Sequence, residues 1–221
     1  MRKVVVSIDG PAAAGKSTIA KEVAKRLNFT YIDTGAMYRA VTLFCIENNI
    51  DCEDEGKVNT VLDKINIELK PDHTVLLNNK DVSFDIRSRI VNANVSYIAS
   101  YKEVRLFLVE QQRKMAESTS VVMDGRDIGS YVLPNADVKI FQIASVETRA
   151  ERRYKENIAK GIEGSLESIK KELEKRDYID SHRDFAPLTK ASDAYELDTS
   201  NMTIEEVVEK VLSLIKEKVG E

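Results

Sequence analysis

Residues 10–17 read Gly-Pro-Ala-Ala-Ala-Gly-Lys-Ser and fit the pattern G-x-x-x-x-G-K-[ST], and their setting constrains the fold as much as their identity. A β-branched run, KVVVSI at residues 3–8, enters the loop. From Lys16 onward Ile19, Ala20, Val23, Ala24 and Leu27 recur at helical spacing. Glycines let backbone N–H groups turn inward around phosphate oxygens, and the start of the following helix adds partial positive charge. Lys16 is then expected to reach the β- and γ-phosphates of a nucleotide, with the Ser17 hydroxyl on Mg²⁺. A glycine-bounded turn that binds nothing is the plain alternative, and the strand before and helix after the loop are what distinguish the two.

The rest of the chain alternates strand and helix patterns. Residues 29–32 read as a second strand, 36–47 and a stretch near 57–64 as helices, 89–99 and 102–117 as further helices. Val121–Met123 and Val138–Ile143 read as strands, 146–160 and 165–183 as charged helices joined around Gly161–Gly164, and 194–198 as a last strand. Thr203-Ile204-Glu205-Glu206 spells a capping box ahead of an apolar stripe of Ile204, Val207, Val208, Val211 and Ile215. Such alternation predicts an α/β fold with a parallel sheet and its ligand at the carboxyl ends of the strands. Residues 65–82 break the rhythm: INIELK, TVLLNN and KDVSF, with turn signals at Pro71-Asp72 and Asn78-Asn79, predict a small antiparallel meander inserted into the α/β unit.

Composition narrows the function classes. At ~150 residues per domain, 221 residues allow one large domain or one with an insertion. Lys and Arg number 33 against 37 Asp and Glu, a formal net charge of -4, which argues against a general nucleic-acid coat but leaves a small anionic ligand open. Cys45 and Cys52 are too few for a disulfide framework and read as reduced thiols of a cytoplasmic protein, and two histidines make a Cys/His zinc site improbable. The apolar run after Met1-Arg2-Lys3 meets Asp9 too soon for a signal peptide, and no stretch approaches the ~20 apolar residues of a membrane span.

Asp124 closes the apolar run Val121-Val122-Met123, a position where a carboxylate organises the hydration shell of Mg²⁺ or simply caps the next element. Thirteen of the 33 cations are arginine, whose planar fork suits phosphate oxygens. Arg39 and Arg126 fall at or just beyond strand–helix junctions, the ligand edge of a parallel sheet. In 165–183 the stripe Leu166, Ile169, Leu173 continues at the same spacing to Arg176, Asp180 and Arg183. Charges turned toward protein need a ligand or an ion-pair network. Arg149, Arg152 and Arg153 share one helix face beside the glycine turn; they either close over triphosphate as a lid or pair on the surface with Glu147, Glu151 and Glu156.

With these motifs in place the chain resembles the bacterial cytidylate kinase family of nucleoside monophosphate kinases over essentially its whole length. The carriers are Ile8-Asp9-Gly10-Pro11 with Gly15-Lys16-Ser17, Asp33-Thr34-Gly35-Ala36-Met37-Tyr38-Arg39, Asp124-Gly125-Arg126-Asp127-Ile128-Gly129, Arg176-Asp177 through Asp180 and Arg183, and Ala186-Pro187-Leu188. The resemblance implies a P-loop NTPase-type five-stranded parallel sheet with flanking helices. It implies a core at 1–40, 97–150 and 184–221, a monophosphate-binding insertion at about 41–96 and a short helical lid at about 151–183. ATP would lie on Gly10, Pro11, Ala12, Ala13, Ala14, Gly15, Lys16, Ser17 and Thr18, with Mg²⁺ on Ser17 and, through water, Asp124. Ser96, Arg105 and Asp127 would read cytosine, and Asp180 with Arg176 would hold the ribose. Thr34, Tyr38, Arg39, Arg126, Arg176 and Arg183 would surround the acceptor phosphate. Lys16, Arg39, Arg126, Arg149, Arg153, Arg176 and Asp124 would carry the phosphoryl transfer. Thr34 stands where family members often have serine, keeping the hydroxyl and adding a methyl.

The implied reaction passes the γ-phosphoryl group of ATP to CMP, and to dCMP, in a cytoplasmic monomer of pyrimidine metabolism whose partners are small nucleotides, with neither nucleic acid nor membrane. Two other readings use the same loop. A kinase for UMP or AMP would need a different base reader at Ser96, Arg105 and Asp127, and a nucleotide-dependent switch would need a partner surface. No Asn-Lys-x-Asp run that would read guanine is present.

Overall fold

The computed structural model of the protein describes residues 2–159 and 161–220. Position 160, the expected end of the helix 146–160 and part of the expected lid, lies outside the described residues, as do positions 1 and 221 of the expected core segments.

In chain order the elements are β1 (Val5–Asp9), α1 (Lys16–Leu27), β2 (Thr30–Asp33), α2 (Thr34–Glu47), α3 (Glu55–Asn59), β3 (Ile67–Leu69), β4 (Val75–Leu77), β5 (Lys80–Asp81), α4 (Arg89–Ser100) and α5 (Lys102–Glu117). They continue with β6 (Val121–Gly125), β7 (Val138–Ile143), α6 (Val146–Ala159), α7 (Leu166–His182), β8 (Tyr195–Asp198) and α8 (Ile204–Val219). Five strands form one parallel sheet in the order β2-β6-β1-β7-β8. The centre strand β1 has parallel neighbours on both sides, which accounts for its nearly complete burial and its mostly apolar sequence, VVSID.

Each face of the sheet has its own core. Val6, Ile8, Val122 and Ile140 pack with Ile19 and Val23 of α1 and Val207, Val208 and Val211 of α8. Ile32, Val121 and Met123 on the opposite face pack with Val109 and Ala116 of α5. The expected meander is a three-stranded antiparallel sheet, β3-β4-β5, and Ile67, Val75 and Leu77 join α2 and α4 in a third core with Met37, Val41, Val91 and Val95. Asn78 and Asn79 take left-handed backbone at its second turn (φ 49° and 67°), as the turn signal there predicts.

Several boundaries and two stripes differ from the sequence expectation. The helix expected from 36 begins at Thr34, because Asp33 caps it by accepting from the Ala36 amide at 2.8 Å. The single helix expected near 57–64 is the short α3, capped by Asp54, followed by a separate 3₁₀ turn at Leu62–Lys64. Leu166 and Ile204, expected in buried stripes, are 43% and 59% exposed. Both occupy the first helical position, before the periodic face meets its partner. The capping box of α8 is present, with Thr203 and Glu206 bonding each other's backbone amides.

Candidate functional site

The loop between β1 and α1 has a backbone that few side chains tolerate. Gly10 has φ 148°, and a Cβ there would overlap the Gln142 carbonyl oxygen of β7; Gly15, the cap of α1, has φ 90°. Ala13 also sits in left-handed space, at φ 57°. Two of the loop's carbonyls and one amide are held by side chains from other elements. Arg149 Nη1 bonds Ala12 O at 3.0 Å, Gln142 Nε2 bonds Ala14 O at 2.6 Å, and Asp177 accepts from the Ala12 amide at 3.0 Å. Arg149 also pairs with Asp177, so α6 and α7 grip the loop from outside, with Ala12 packed on Ala150, Ile169 and Leu173. Arg149 is buried in this role. Arg152 bonds the Thr199 carbonyl at 2.6 Å, and Arg153 lies 3.7 Å from Glu156. The three arginines that share a helix face thus go to three different partners. Thr18 points outward and is exposed.

At the carboxyl ends of the strands the charged residues gather. Lys16 is buried, its Nζ bonding Pro11 O at 2.8 Å. Burial and the nearby Arg126 and Arg176 hold its ammonium well below the usual lysine range, against the pull of Asp124. Burial and the repulsion of Arg126 bring Arg176 down to about 10, and its Nε has no hydrogen-bond partner among the described residues. Burial, with Arg87 adding to it, also lowers Arg39, whose Nε is likewise unpartnered although its Nη2 lies 3.3 Å from Asp33. Arg126 is held by Asp180 through Nε at 2.8 Å. Lys16, Arg39 and Arg176 are thus cations short of negative charge, whereas Arg126 is supplied with it by Asp180.

Asp124 accepts from Ser17 Oγ and from the Tyr31 hydroxyl, each at 2.8 Å, so it is no helix cap. Burial and the neighbouring Asp33 raise its carboxyl above the ordinary range, against Lys16 and both hydroxyls. Ser17 and Asp124 are oxygen donors of the kind that suit Mg²⁺. Among the described residues no cluster of three or more His, Cys, Asp or Glu could hold a metal. The arrangement fits a cation held mainly by phosphate and water.

A second group lies alongside. Asp127 is buried and accepts from Arg105 and, at 3.3 Å, from Arg183; both guanidiniums are also bonded to the Ala99 carbonyl. The Tyr38 ring lies 5.3 Å from the Arg105 guanidinium, which brings Tyr38 into this group. Ser96 is buried on α4. Asp180 links the two groups: Arg126, Arg176 and Arg183 all act to lower its carboxyl against its burial. Thr34 turns inward, its hydroxyl donating to the Asp124 carbonyl at 2.7 Å.

Sequence reasoning assigned no role to Asp9, Tyr31, Asp33, Arg87, Gln142 or Asp177. Asp9 accepts from the amides of Ile128 and Gly129, each at 2.7 Å, and so fixes the wide turn that presents Asp127. Asp33 gathers Arg39 and Arg87, the latter from the far side of the insertion. Asp9, next to Gly10, Asp177, next to Arg176, and Asp33, two residues before Gly35, lie inside the motifs named above, so the local signal for those three is a carboxylate within a motif. Tyr31, Arg87 and Gln142 carried no local pattern.

A parallel sheet with a glycine loop at its centre strand, a lysine and serine opening the next helix and buried arginines above defines a nucleotide-binding phosphotransferase of the P-loop kind. Similarity to other proteins narrows this. The chain matches the family model described as cytidylate kinase over residues 6–217. It is 52% identical over 220 residues to a cytidylate kinase of Listeria innocua, covering 99% of this chain and 98% of that one. It is 55% identical over 217 residues to a cytidylate kinase of Pediococcus pentosaceus, covering 97% and 96%. The chain belongs to the cytidylate kinase family. Among solved structures it shares its fold with a gluconokinase from Sinorhizobium meliloti, at TM-score 0.51 and 11% identity over 98% of this chain and 94% of that one. An uncharacterised protein from Eubacterium ventriosum also shares it, at TM-score 0.54 and 12% identity over 98% and 99%.

Proposed function

We propose that the protein transfers the γ-phosphoryl group of ATP to CMP, and to dCMP, giving ADP and the cytidine diphosphate. The observation that carries this reading is the set of buried, mutually repelling cations Lys16, Arg39 and Arg176 at the sheet's carboxyl edge, with guanidinium N–H groups unpartnered. Phosphate oxygens are the ligand that completes such a set. The donor's phosphates lie along the loop from Gly10 to Thr18, its inward amides and Lys16 neutralising the β- and γ-oxygens. An oxygen of the acceptor phosphate attacks the γ-phosphorus; the bond from that phosphorus to the β–γ bridging oxygen breaks, and ADP leaves with the electron pair. No protein nucleophile is involved, so catalysis is positioning and charge neutralisation. Ser17 and, through water, Asp124 would hold Mg²⁺, which would supply charge neutralisation on the donor phosphates.

Arg39, Arg126 and Arg176 flank the transferred group, with Arg183 and Thr34 on the acceptor side. Asp180 holds the ribose. Asp127 takes the exocyclic amine of cytosine, and Arg105 and Ser96 donate to its acceptors. Uracil presents a carbonyl to that carboxylate and leaves it unpaired. Residues of about 41–96 serve as the monophosphate-binding unit and about 151–183 as the lid, with Arg149 rooting the lid on the loop and Arg153 reaching the phosphates on closure. The enzyme works as a monomer, since every residue assigned to the site lies in one chain. Cys45 and Cys52, buried and free, suit the cytoplasm. No helix among the described residues is long and apolar enough to cross a membrane. A panel of CMP, dCMP, UMP and AMP with Mg·ATP, read as ADP formed, tests the assignment. CMP and dCMP are expected to turn over fastest; UMP or AMP far ahead of CMP refutes the base reading.

A further inference from the structure

We propose that Tyr31 is a positioning residue for Asp124, and through it for the metal-bearing nucleotide. Tyr31 lies on β2, whose parallel register with β6 sets Asp33 beside Asp124 and Tyr31 beside Val122. From there its hydroxyl reaches Asp124 Oδ1 at 2.8 Å, while Ser17 takes Oδ2 at the same distance. Each carboxylate oxygen thus has one side-chain donor, and the carboxylate plane is fixed from two sides. Without the phenol only the Ser17 contact remains among the described residues, and Ser17 is itself the expected metal ligand. Removing Tyr31 therefore frees the carboxylate at the moment its orientation is needed.

The ring is clamped as well. His73 meets it edge to face, with centroids 5.5 Å apart and planes at 81°, and Lys21 Nζ lies 5.5 Å from its centroid. His73 sits in the β3–β4 turn with φ 71°, so the inserted sheet reaches across to the donor side of the core. Partners behind a ligand that fix its orientation typically change metal affinity or activity by about 10–100-fold when removed.

This inference rests on the metal reading above, and its test separates the two. ATP binding is measured by calorimetry without CMP over a series of Mg²⁺ concentrations, alongside steady-state kinetics and thermal melting. Tyr31→Phe is expected to raise the Mg²⁺ midpoint for ATP binding about tenfold and to lower kcat to match, with KM for CMP and melting temperature near wild type. His73→Gly keeps the hydroxyl and suits the left-handed backbone; it is expected to raise the midpoint about threefold, by loosening the ring. Tyr31→Phe added to Asp124→Asn is expected to change nothing further, because the phenol acts through that carboxylate. A wild-type midpoint in both Tyr31→Phe and His73→Gly overturns the proposal, whatever happens to melting. If Asp124→Asn itself leaves the midpoint in place, the metal reading has failed instead.

Discussion

Replacing Asp127 by asparagine tests the base reader and its supporting charges together. The carboxylate is buried and accepts from two guanidiniums, Arg105 and Arg183, which are themselves buried and repel each other. Removing one partner from a buried ion pair costs about 3–5 kcal/mol. Here Arg105 keeps the Ala99 carbonyl at 3.0 Å, Arg183 keeps the Ala186 carbonyl at 2.6 Å, and asparagine keeps one acceptor oxygen. The lower end therefore applies, about 3 kcal/mol, which for a chain of this size lowers the melting temperature by about 6–12 °C. The effect on substrate choice has a different sign for each base. CMP loses a charge-assisted hydrogen bond, about 1.5–3 kcal/mol or roughly 10–100-fold in kcat/KM, chiefly through KM. UMP gains an amide that donates to its ring carbonyl. The assay is kcat/KM for CMP and UMP from ADP release at fixed Mg·ATP, with a melting curve of the same sample. A fall in stability with an unchanged CMP:UMP ratio would refute the reasoning, because Asp127 would then be only a counter-ion for the two arginines.

Lys16→Met removes an ammonium that burial and Arg126 and Arg176 already disfavour. Turnover should fall by at least about a thousandfold, while the ligand-free melting temperature stays level or rises; a lower melting temperature would contradict the claim that the charge is a burden until phosphate binds. Asp9 gives a pH signature. Burial, opposed by two backbone donors and reinforced by Asp127, pushes its carboxyl from 3.8 up to about 7. A folded pKa above the unfolded one stabilises fully below about 4 and is lost as pH rises to about 7. Asp33 and Asp180, held low, act with the opposite sign below 3.8 and so outside that window. Asp124, also raised, acts with the same sign, so Asp9→Asn should reduce rather than abolish the dependence of melting temperature between pH 4 and 7, and parallel profiles for the two proteins would dismiss the shift.

Local chemistry determined what could be read from the sequence. The loop at 10–17, the inserted sheet with its Asn78-Asn79 turn and the change of the α7 stripe from Leu173 to Arg176, Asp180 and Arg183 all rest on neighbours within a few residues. The buried positions of Asp180 and Arg183 bear out the inference that those charges face protein. Arg149 is different. Its spacing with Arg152 and Arg153 describes a shared helix face, but Asp177 and the Ala12 carbonyl that occupy it come from other parts of the chain. Gln142 reaching Ala14 and Tyr31 reaching Asp124 depend on strand register across the sheet, which no stretch of sequence displays. Leu166 was misread because a stripe has ends, and a first-turn residue can carry the right period with nothing to pack against.

The grip of α6 and α7 on the glycine loop separates two kinds of tolerance to change. The roots of that helix pair are riveted: Arg149, Asp177, Ala150, Ile169 and Leu173 all bear on Ala12, so a residue lost or gained there would shift the loop itself. The tip is free of such duties. Gly161 has left-handed backbone with open space around it, and the next four residues carry no regular structure. Insertions, tags or a reporter pair should be accepted at 161–164 without disturbing the phosphate cradle. The same hairpin is a ready place to attach a probe that would test the proposed closure of the lid.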